Sequence, residues 1–345
     1  MTRITIRQIA EEAGVSMTTV SNVLNKKARR VSEDKIKLIE EIIAKYNYIP
    51  NMNARSLVNS SSRLIGLLYY SRQDNFVFSD PFTSELLSGI EKESKKNGYF
   101  VLVHNVTSVQ DILTLQKNWN FDGFIIVGVS SFKLNEINKV VSKPVVYIDT
   151  YLEESDKEHI FKQKDRLFVN TNDYQASYMA MQHLIECGHR EIAFLSFDFE
   201  MDTPSVIQSR YQAYMDVLLE NKLTKNEFLV FGEKDFHKIY QTLDQFSAIL
   251  VTSDYLAARL VKYLKNRSSY KMEKTSIIGF DDIYFSELMD PGLTTIRLNP
   301  SEKGKVAFTE LQRMLIGDVI EDQFILLEGE LIVRESVQQK GRNNS

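Results

Sequence analysis

A chain of 345 residues with 43% hydrophobic side chains is long enough for two or three compact units, each with a core of its own. No run of about 18 uninterrupted apolar residues occurs, which excludes an apolar membrane-spanning helix, and a single cysteine, Cys187, excludes an intrachain disulfide framework and a multi-cysteine metal site. Residues 1–63 hold 11 Lys and Arg against 6 Asp and Glu while the remainder holds 31 against 40, so a basic head precedes an acidic body. That balance suits a nucleic-acid module tethered to something that is not one.

Thr5 followed three residues later by Gln8 is a capping box, in which each side chain satisfies an orphan backbone donor of the other at a helix start. Ile6, Ile9, Ala10 and Ala13 form an apolar stripe at helical spacing. Gly14 supplies a positive φ to end that helix, and Ser16 is placed to cap the next. In the second helix Val20, Val23 and Leu24 face inward. Met17, Thr18, Ser21 and Asn22 are left outward, with Thr18 and Asn22 one turn apart on a face whose short polar groups reach base edges. A third helix, about Ser32 to Tyr46, carries Ile36, Ile39, Ile42 and Ile43 and closes a three-helix core. Two short helices joined by glycine also describe an ordinary helical hairpin; the basic charge favours a helix-turn-helix. Pro50 breaks the third helix, a short helix restarts at Asn53 to Val58, and Asn59 to Ser62 reads as a flexible joint. Met1 to Thr5 enters the first helix directly, without the apolar stretch of a signal peptide, so the expectation is a soluble cytoplasmic protein without a membrane partner.

From Leu64 onward short apolar runs alternate with helical patterns. Strands are expected at Leu64–Tyr70, Tyr99–Asn105, Gly123–Val127 and Val145–Ile148, with helices at Glu85–Asn97, Val109–Lys117 and Leu134–Val141 between them. The rhythm then repeats. Strands fall at Leu167–Asn170, Ile192–Leu195, Phe228–Phe231, Ala248–Val251 and Ser276–Phe280, and helices at Ala176–Cys187, Ile207–Asn221, Lys238–Gln245 and Tyr255–Lys265. Two doubly wound parallel sheets with a cleft between them follow from this pattern. Ligands of such sheets bind beyond the carboxyl ends of strands. There stand Asp149, Ser253 and Asp254, and Asp281; carboxylates accept two hydroxyl hydrogen bonds each, which suits a polyol. Asp254 and Asp282 equally fit the cap of a following helix. The segments Ser71–Asp80 and Thr150–Arg166 read as long loops bordering the cleft. Cys187 fits a buried small hydrophobe, His189 a structural turn, and Trp119 beside Phe121 a packing residue, with sugar stacking as its other role. The five histidines show no metal-ligand spacing. With no phosphate-binding Walker loop and no Gly-x-Ser-x-Gly elbow, neither a cofactor nor an enzymatic activity is expected.

The run Ile9-Ala10-Glu11-Glu12-Ala13-Gly14-Val15-Ser16 with Thr19-Val20-Ser21-Asn22-Val23-Leu24-Asn25, then Tyr48-Ile49-Pro50-Asn51 and Ala54-Arg55-Ser56-Leu57, resembles the lactose-repressor/galactose-repressor (LacI/GalR) family of bacterial transcription regulators. Leu64-Ile65-Gly66-Leu67, Gly188-His189-Arg190, Gly279-Phe280-Asp281-Asp282, Leu293-Thr294-Thr295-Ile296 and Val333-Arg334-Glu335-Ser336 agree in the family's order. The resemblance implies a helix-turn-helix domain at 1–50, a hinge helix and linker at 51–63, and a periplasmic-binding-protein-like effector and dimerisation domain at 64–345. The last would divide into an N-lobe of about 64–166 plus 299–323 and a C-lobe of about 167–298 plus 324–340. It implies DNA contacts by Thr5, Ser16, Met17, Thr18, Ser21, Asn22, Asn25, Asn53, Ala54 and Arg55, with Leu57 as a wedge pushed between base pairs of the minor groove. By the same resemblance Phe82, Asp149, Arg210, Ser253, Asp254 and Asp281 contact an effector, with Arg210 open to a structural ion pair and Phe82 to core packing. The expected protein is a homodimeric repressor of carbohydrate-utilisation genes on a pseudo-palindromic double-stranded operator, controlled by a sugar or sugar phosphate. Control by a protein phosphocarrier, or a sugar-binding protein of the same fold, are the other readings. Three departures stand out: Asn22 where the family carries arginine, which would read adenine; Asn172-Asp173 in swapped order; and Leu298 in place of a glutamine.

Overall fold

A computed structural model describes residues 4–24, 31–48, 61–71, 78, 80–223, 229–267 and 274–340, folded as two compact units, 1–62 and 63–345. Asn25 and the hinge residues Asn53, Ala54, Arg55 and Leu57 lie outside the described residues.

The first unit holds α1 (Ile6–Ala13), α2 (Met17–Leu24) and α3 (Glu33–Lys45). The capping box forms: Gln8 N–H donates to Thr5 Oγ1 at 3.4 Å while Thr5 N–H donates to Gln8 Oε1 at 2.9 Å. Gly14 takes φ 62° and turns its N–H back onto the carbonyls of Ala10 and Glu11. Ser16 Oγ accepts the Thr19 N–H at 3.1 Å at the start of α2. Ile9, Ala10, Ala13, Val20, Val23, Ile39 and Ile42 close the core. Lys35 Nζ donates to the Ala13 carbonyl at 3.0 Å, placing a cation where the helix dipole of α1 is negative.

The second unit runs β1 (Leu64–Tyr70), α4 (Pro81–Lys96), β2 (Phe100–Val106), α5 (Val109–Asn118), β3 (Gly123–Val127), α6 (Ser131–Val140), β4 (Val145–Ile148), α7 (Glu154–Phe161) and β5 (Arg166–Thr171). It continues with α8 (Asp173–Glu186), β6 (Ile192–Ser196), α9 (Val206–Glu220), β7 (Val230–Gly232), α10 (Phe236–Thr242), β8 (Ala248–Val251), α11 (Asp254–Lys265), β9 (Ser276–Asp281) and β10 (Thr294–Arg297). It ends with α12 (Pro300–Ile316), β11 (Phe324–Leu327) and β12 (Glu330–Ile332). The strands form two six-stranded sheets, β11-β5-β4-β3-β1-β2 in the N-lobe and β12-β10-β9-β8-β6-β7 in the C-lobe. The first is parallel throughout, and in the second β12 alone runs antiparallel. Buried apolar clusters occupy both faces of each sheet, so central strands such as β3, buried at every residue, read as continuous apolar runs.

Two segments depart from the sequence pattern. The charged stretch after β4 is not all loop: α7 lies within it, burying only Ile160 along its length, too little for an apolar stripe to show. This helix is a crossover that returns the chain to the same sheet, so residues 167–171 complete β5 in the N-lobe instead of opening the C-lobe, and β11 pairs with it. The N-lobe therefore extends to Thr171 and takes back residues 300–327, and the chain passes between lobes at Asn172, at Leu298-Asn299 and at Glu328-Gly329. These crossings touch: Asn172 N–H donates to the Leu327 carbonyl at 2.9 Å, and Asn172 Nδ2 donates to Glu328 Oε1 at 3.1 Å. Leu298 is buried in the C-lobe core beside Gly329. On the N-lobe face α12 lies so close to α4 that a Cβ on Gly89 would stand 2.0 Å from the Ser301 carbonyl oxygen, and one on Gly304 2.3 Å from that of Leu86.

Candidate functional site

In each sheet the strand order reverses beside the first strand of the lobe, between β1 and β3 and between β6 and β8. The loops leaving the carboxyl ends of β3, β4 and β6 wall a cavity of about 430 Å³. Gly128, Val129, Ser130, Asp149 and Tyr151 line it from the N-lobe, and Asp198, Phe199, Glu200 and residues 203–207 from the C-lobe. A second cavity of about 620 Å³ shares Ser130, Glu200 and Thr203 with it and is lined further by Ser131, Phe132, Asn135, Glu153 and Asp156. An opening at a topological switch point, walled by two lobes, is the ordinary ligand site of doubly wound sheets.

Behind the cavity lies a buried polar cluster. Arg210, on α9 and 4% exposed, donates from Nε to Asp173 Oδ1 at 2.8 Å, pairs through a second nitrogen at 2.6 Å, and donates from the third to the Thr252 carbonyl at 2.6 Å. Its guanidinium carbon lies 4.3 Å from the centre of the Phe280 ring. Tyr151 of the N-lobe donates its hydroxyl to Asp173 Oδ2, and burial with the Asp173 charge raises its pKa. Asp281 adjoins: burial pushes its pKa well above the usual carboxylate value, Arg210 opposes that rise, and Asp254 and Asp80 add to it. Asp281, the last residue of β9, has φ 109°, and Asp149, Asp282 and Asn299, just past strand ends, have φ 51°, 54° and 49°. Such backbone costs of order 1–3 kcal/mol per residue and clusters at functional sites. The side-chain hydroxyls of Thr171 and Thr252, at the ends of β5 and β8, are buried without hydrogen-bond partners.

The expected effector residues divide on inspection. Asp149 and Arg210 stand at the cavity and immediately behind it, with Arg210 wholly committed to Asp173 and Thr252. Asp281 is grouped with Arg210, and Ser253 hydrogen-bonds to it. Phe82 lies in the N-lobe with its ring centre 5.4 Å from Lys303 Nζ, and Lys303, 1% exposed, pairs with Asp149 at 2.6 Å. Asp254 neither caps α11 nor faces the cavity. Fully buried, it accepts from Ser286 Oγ at 2.6 Å, Thr295 Oγ1 at 2.7 Å and the Ile283 N–H at 3.3 Å, tying β8 to β10 and to the turn after β9. Gly279 makes this possible, since a Cβ there would fall 2.1 Å from Asp254 Oδ1. Burial pushes the Asp254 pKa up to about 7. No helix starts at Asp282, whose carboxylate instead takes Arg297 at 2.8 Å and Arg334 at 2.7 Å. Trp119 ends α5 half-exposed at 51% rather than packed inside, while Cys187 is buried and His189 is buried between Ser247 and the Gln338 carbonyl.

Sequence reasoning overlooked Tyr151, Lys303 and the wall at 198–207. For the last a signal existed: the run Phe197-Asp198-Phe199-Glu200-Met201-Asp202-Thr203-Pro204-Ser205 between β6 and α9 is a long connection with three acidic residues, placed after a strand end. In the first unit Ser16, Met17 and Thr18 are exposed at the start of α2, Ser21 and Asn22 are half-buried further along it, and Thr5 is exposed at the start of α1.

A three-helix helix-turn-helix unit followed by a two-lobed α/β unit, hollow at its strand ends, has the build of a ligand-responsive transcription regulator. Residues 5–51 match the model of bacterial regulatory proteins of the lacI family, and residues 181–337 match that of a periplasmic binding protein-like domain. The chain is 29% identical to the ribose operon repressor of Haemophilus influenzae, across 96% of this chain and 98% of that one. Among solved structures, a lac repressor dimer bound to operator aligns with TM-score 0.80 and 22% identity over 98% of this chain and all of its own. A LacI family regulator from Enterococcus faecium with bound ribose aligns with TM-score 0.65 and 24% identity over 80% of this chain and 99% of its own. The match of residues 5–51 to the lacI family, with the likeness along nearly the whole chain to the ribose operon repressor, makes this chain a DNA-binding transcription regulator and not an enzyme.

Proposed function

We propose that this regulator is a repressor of carbohydrate-utilisation genes that acts as a homodimer on a pseudo-palindromic operator and is controlled by a sugar in the interlobe cavity. Residues 1–50 form its DNA-binding head, 51–63 its hinge, and the remainder its effector unit. Thr5, Ser16, Met17, Thr18, Ser21, Asn22 and Asn25 meet one half-site, and Asn53, Ala54, Arg55 and Leu57 its centre. Asp149, Ser253, Asp281 and Arg210 form or brace the sugar site, with Phe82 and Lys303 behind Asp149, while Asp254 is scaffold. The observation that carries this reading is the cavity itself, whose walls come from both lobes: a ligand that bridges them binds one interlobe arrangement better than another, and only such a difference shifts an equilibrium. The ribose-bound neighbour and the operator-bound dimer support the sugar and the symmetric pair.

Selection of bound duplex from a random pool, followed by calorimetry of the full chain with a panel of sugars, tests it. A palindromic consensus is expected, with log affinity falling about 0.9 per released phosphate counterion against log salt, together with a sugar that changes operator affinity. Asp281→Asn should weaken that sugar by about tenfold or more and leave operator binding in its absence unchanged. Absence of any preferred duplex sequence sinks the proposal.

A further inference from the structure

The cavity has an electrical character that the sugar reading leaves open. Its walls and those of the adjoining cavity contribute five carboxylates, Asp149, Glu153, Asp156, Asp198 and Glu200, and among the described residues no Lys, Arg or His. Asp149 is neutralised by Lys303. The other four have hydrogen bonds at most: Thr203 Oγ1 donates to Glu200 at 2.9 Å, Ser131 to Glu153 at 3.4 Å and Asn135 to Asp156 at 3.1 Å, and no ion pair reaches any of them among the described residues. The cations beside the cavities are committed elsewhere, Arg210 through all three nitrogens to Asp173 and Thr252, Lys303 to Asp149, and Lys133, over the Phe132 ring, to Glu136. An anionic ligand would therefore meet carboxylates at the mouth and find no free cation within. Behind the cavity, the buried hydroxyls of Thr171 and Thr252 at the strand ends have no hydrogen-bond partner, and the carbonyls of the same residues accept from Tyr151 and Arg210.

A cleft lined by one sign of charge concentrates ligands of the opposite sign and repels those of its own. We infer that the effector is a polyol bearing a protonated amine, an amino sugar in chemical class, and that phosphorylated sugars are excluded. The hydroxyls of such a ligand would meet the strand-end groups and its ammonium the carboxylates of the outer wall, with Glu200, shared by both cavities, as the principal partner. This inference rests on the cavity being a sugar site and sets the charge of what enters it.

Calorimetry of the full chain with glucose, galactose and mannose, their 2-amino-2-deoxy forms, the N-acetyl derivatives of those, and their 6-phosphates separates the two claims. An amine form should bind about tenfold or more tightly than its neutral parent and its N-acetyl derivative, the 6-phosphate should bind least, and the gap should shrink as salt rises, because the wall carboxylates Asp198 and Glu200 are exposed and therefore screened. In Asp198→Asn/Glu200→Gln protein, both changes being on an exposed loop, the amine preference should vanish, so that amino and neutral sugars bind alike. Neutral or phosphorylated sugars binding as tightly as the amine overturn the inference and leave the sugar site standing, and so does a double variant that loses neutral and amino sugars alike. Failure of every sugar to bind overturns the sugar site as well.

Discussion

The two lobes repeat one plan, six strands with a buried cation beneath the cleft, and differ in how that cation is held. In the C-lobe, Arg210 is locked by a carboxylate and a carbonyl within its own lobe, and the N-lobe's Tyr151 joins the same carboxylate. In the N-lobe, Lys303 rides on the returning helix α12 and meets the single carboxylate Asp149, which itself lines the cavity. A guanidinium with several directed donors fits a fixed scaffold, whereas an ammonium on a flexible stem leaves its partner free to respond. The C-lobe side of the cleft thus rests on a fixed ion pair, and beneath the N-lobe side the cation's partner, Asp149, itself reaches the cavity.

The sharpest way to break this contrast is Arg210→Met. It leaves Asp173 charged and buried, and the loss of one partner of such a pair costs about 3–5 kcal/mol; denaturant unfolding should register it, and hydrogen exchange should place it in β8 and β9. Equal loss of protection in β3 and β4 would erase the distinction between the lobes. Lys303→Met should cost less, about 1–3 kcal/mol, because Asp149 keeps 14% exposure and part of its hydration. It should also change sugar affinity, which calorimetry reads; a purely structural loss with unaltered affinity contradicts the assignment of Asp149 to the site. The smallest effect concerns pH. Burial raises Asp254 to about 7 and Asp281 upward too, so the folded protein holds protons that the unfolded chain releases near pH 4, and stability from these groups declines as pH climbs from that value through about 7. The stability of the native chain relative to Asp254→Asn should therefore fall between pH 5 and pH 8, and a constant difference would exclude Asp254 as the source.

Strands buried on both faces announced themselves as apolar runs, and α1 was legible from Ile6 to Ala13, because the Thr5–Gln8 capping box opens it and Gly14 closes it. What escaped detection had weak local signals. α7 buries a single side chain, and without it the boundary between lobes was drawn one strand too early. Asp254 sat where a helix cap or a ligand group belongs, yet its three partners come from residues 283, 286 and 295, a convergence that only the fold creates. Tyr151 and Lys303 entered the site by the same long-range route.

The three adjacent crossings at Asn172, Leu298-Asn299 and Glu328-Gly329 carry a consequence for biogenesis. The N-lobe is begun first but lacks the helix that fills one face and the strand that closes one edge until α12 and β11 have been made. As the polypeptide leaves the ribosome, the earlier half must wait, with Leu67, Ile125 and Val146 uncovered by Phe308 and Leu311, for the later half to emerge. Truncation anywhere before Leu327 should therefore damage the half that looks complete in sequence.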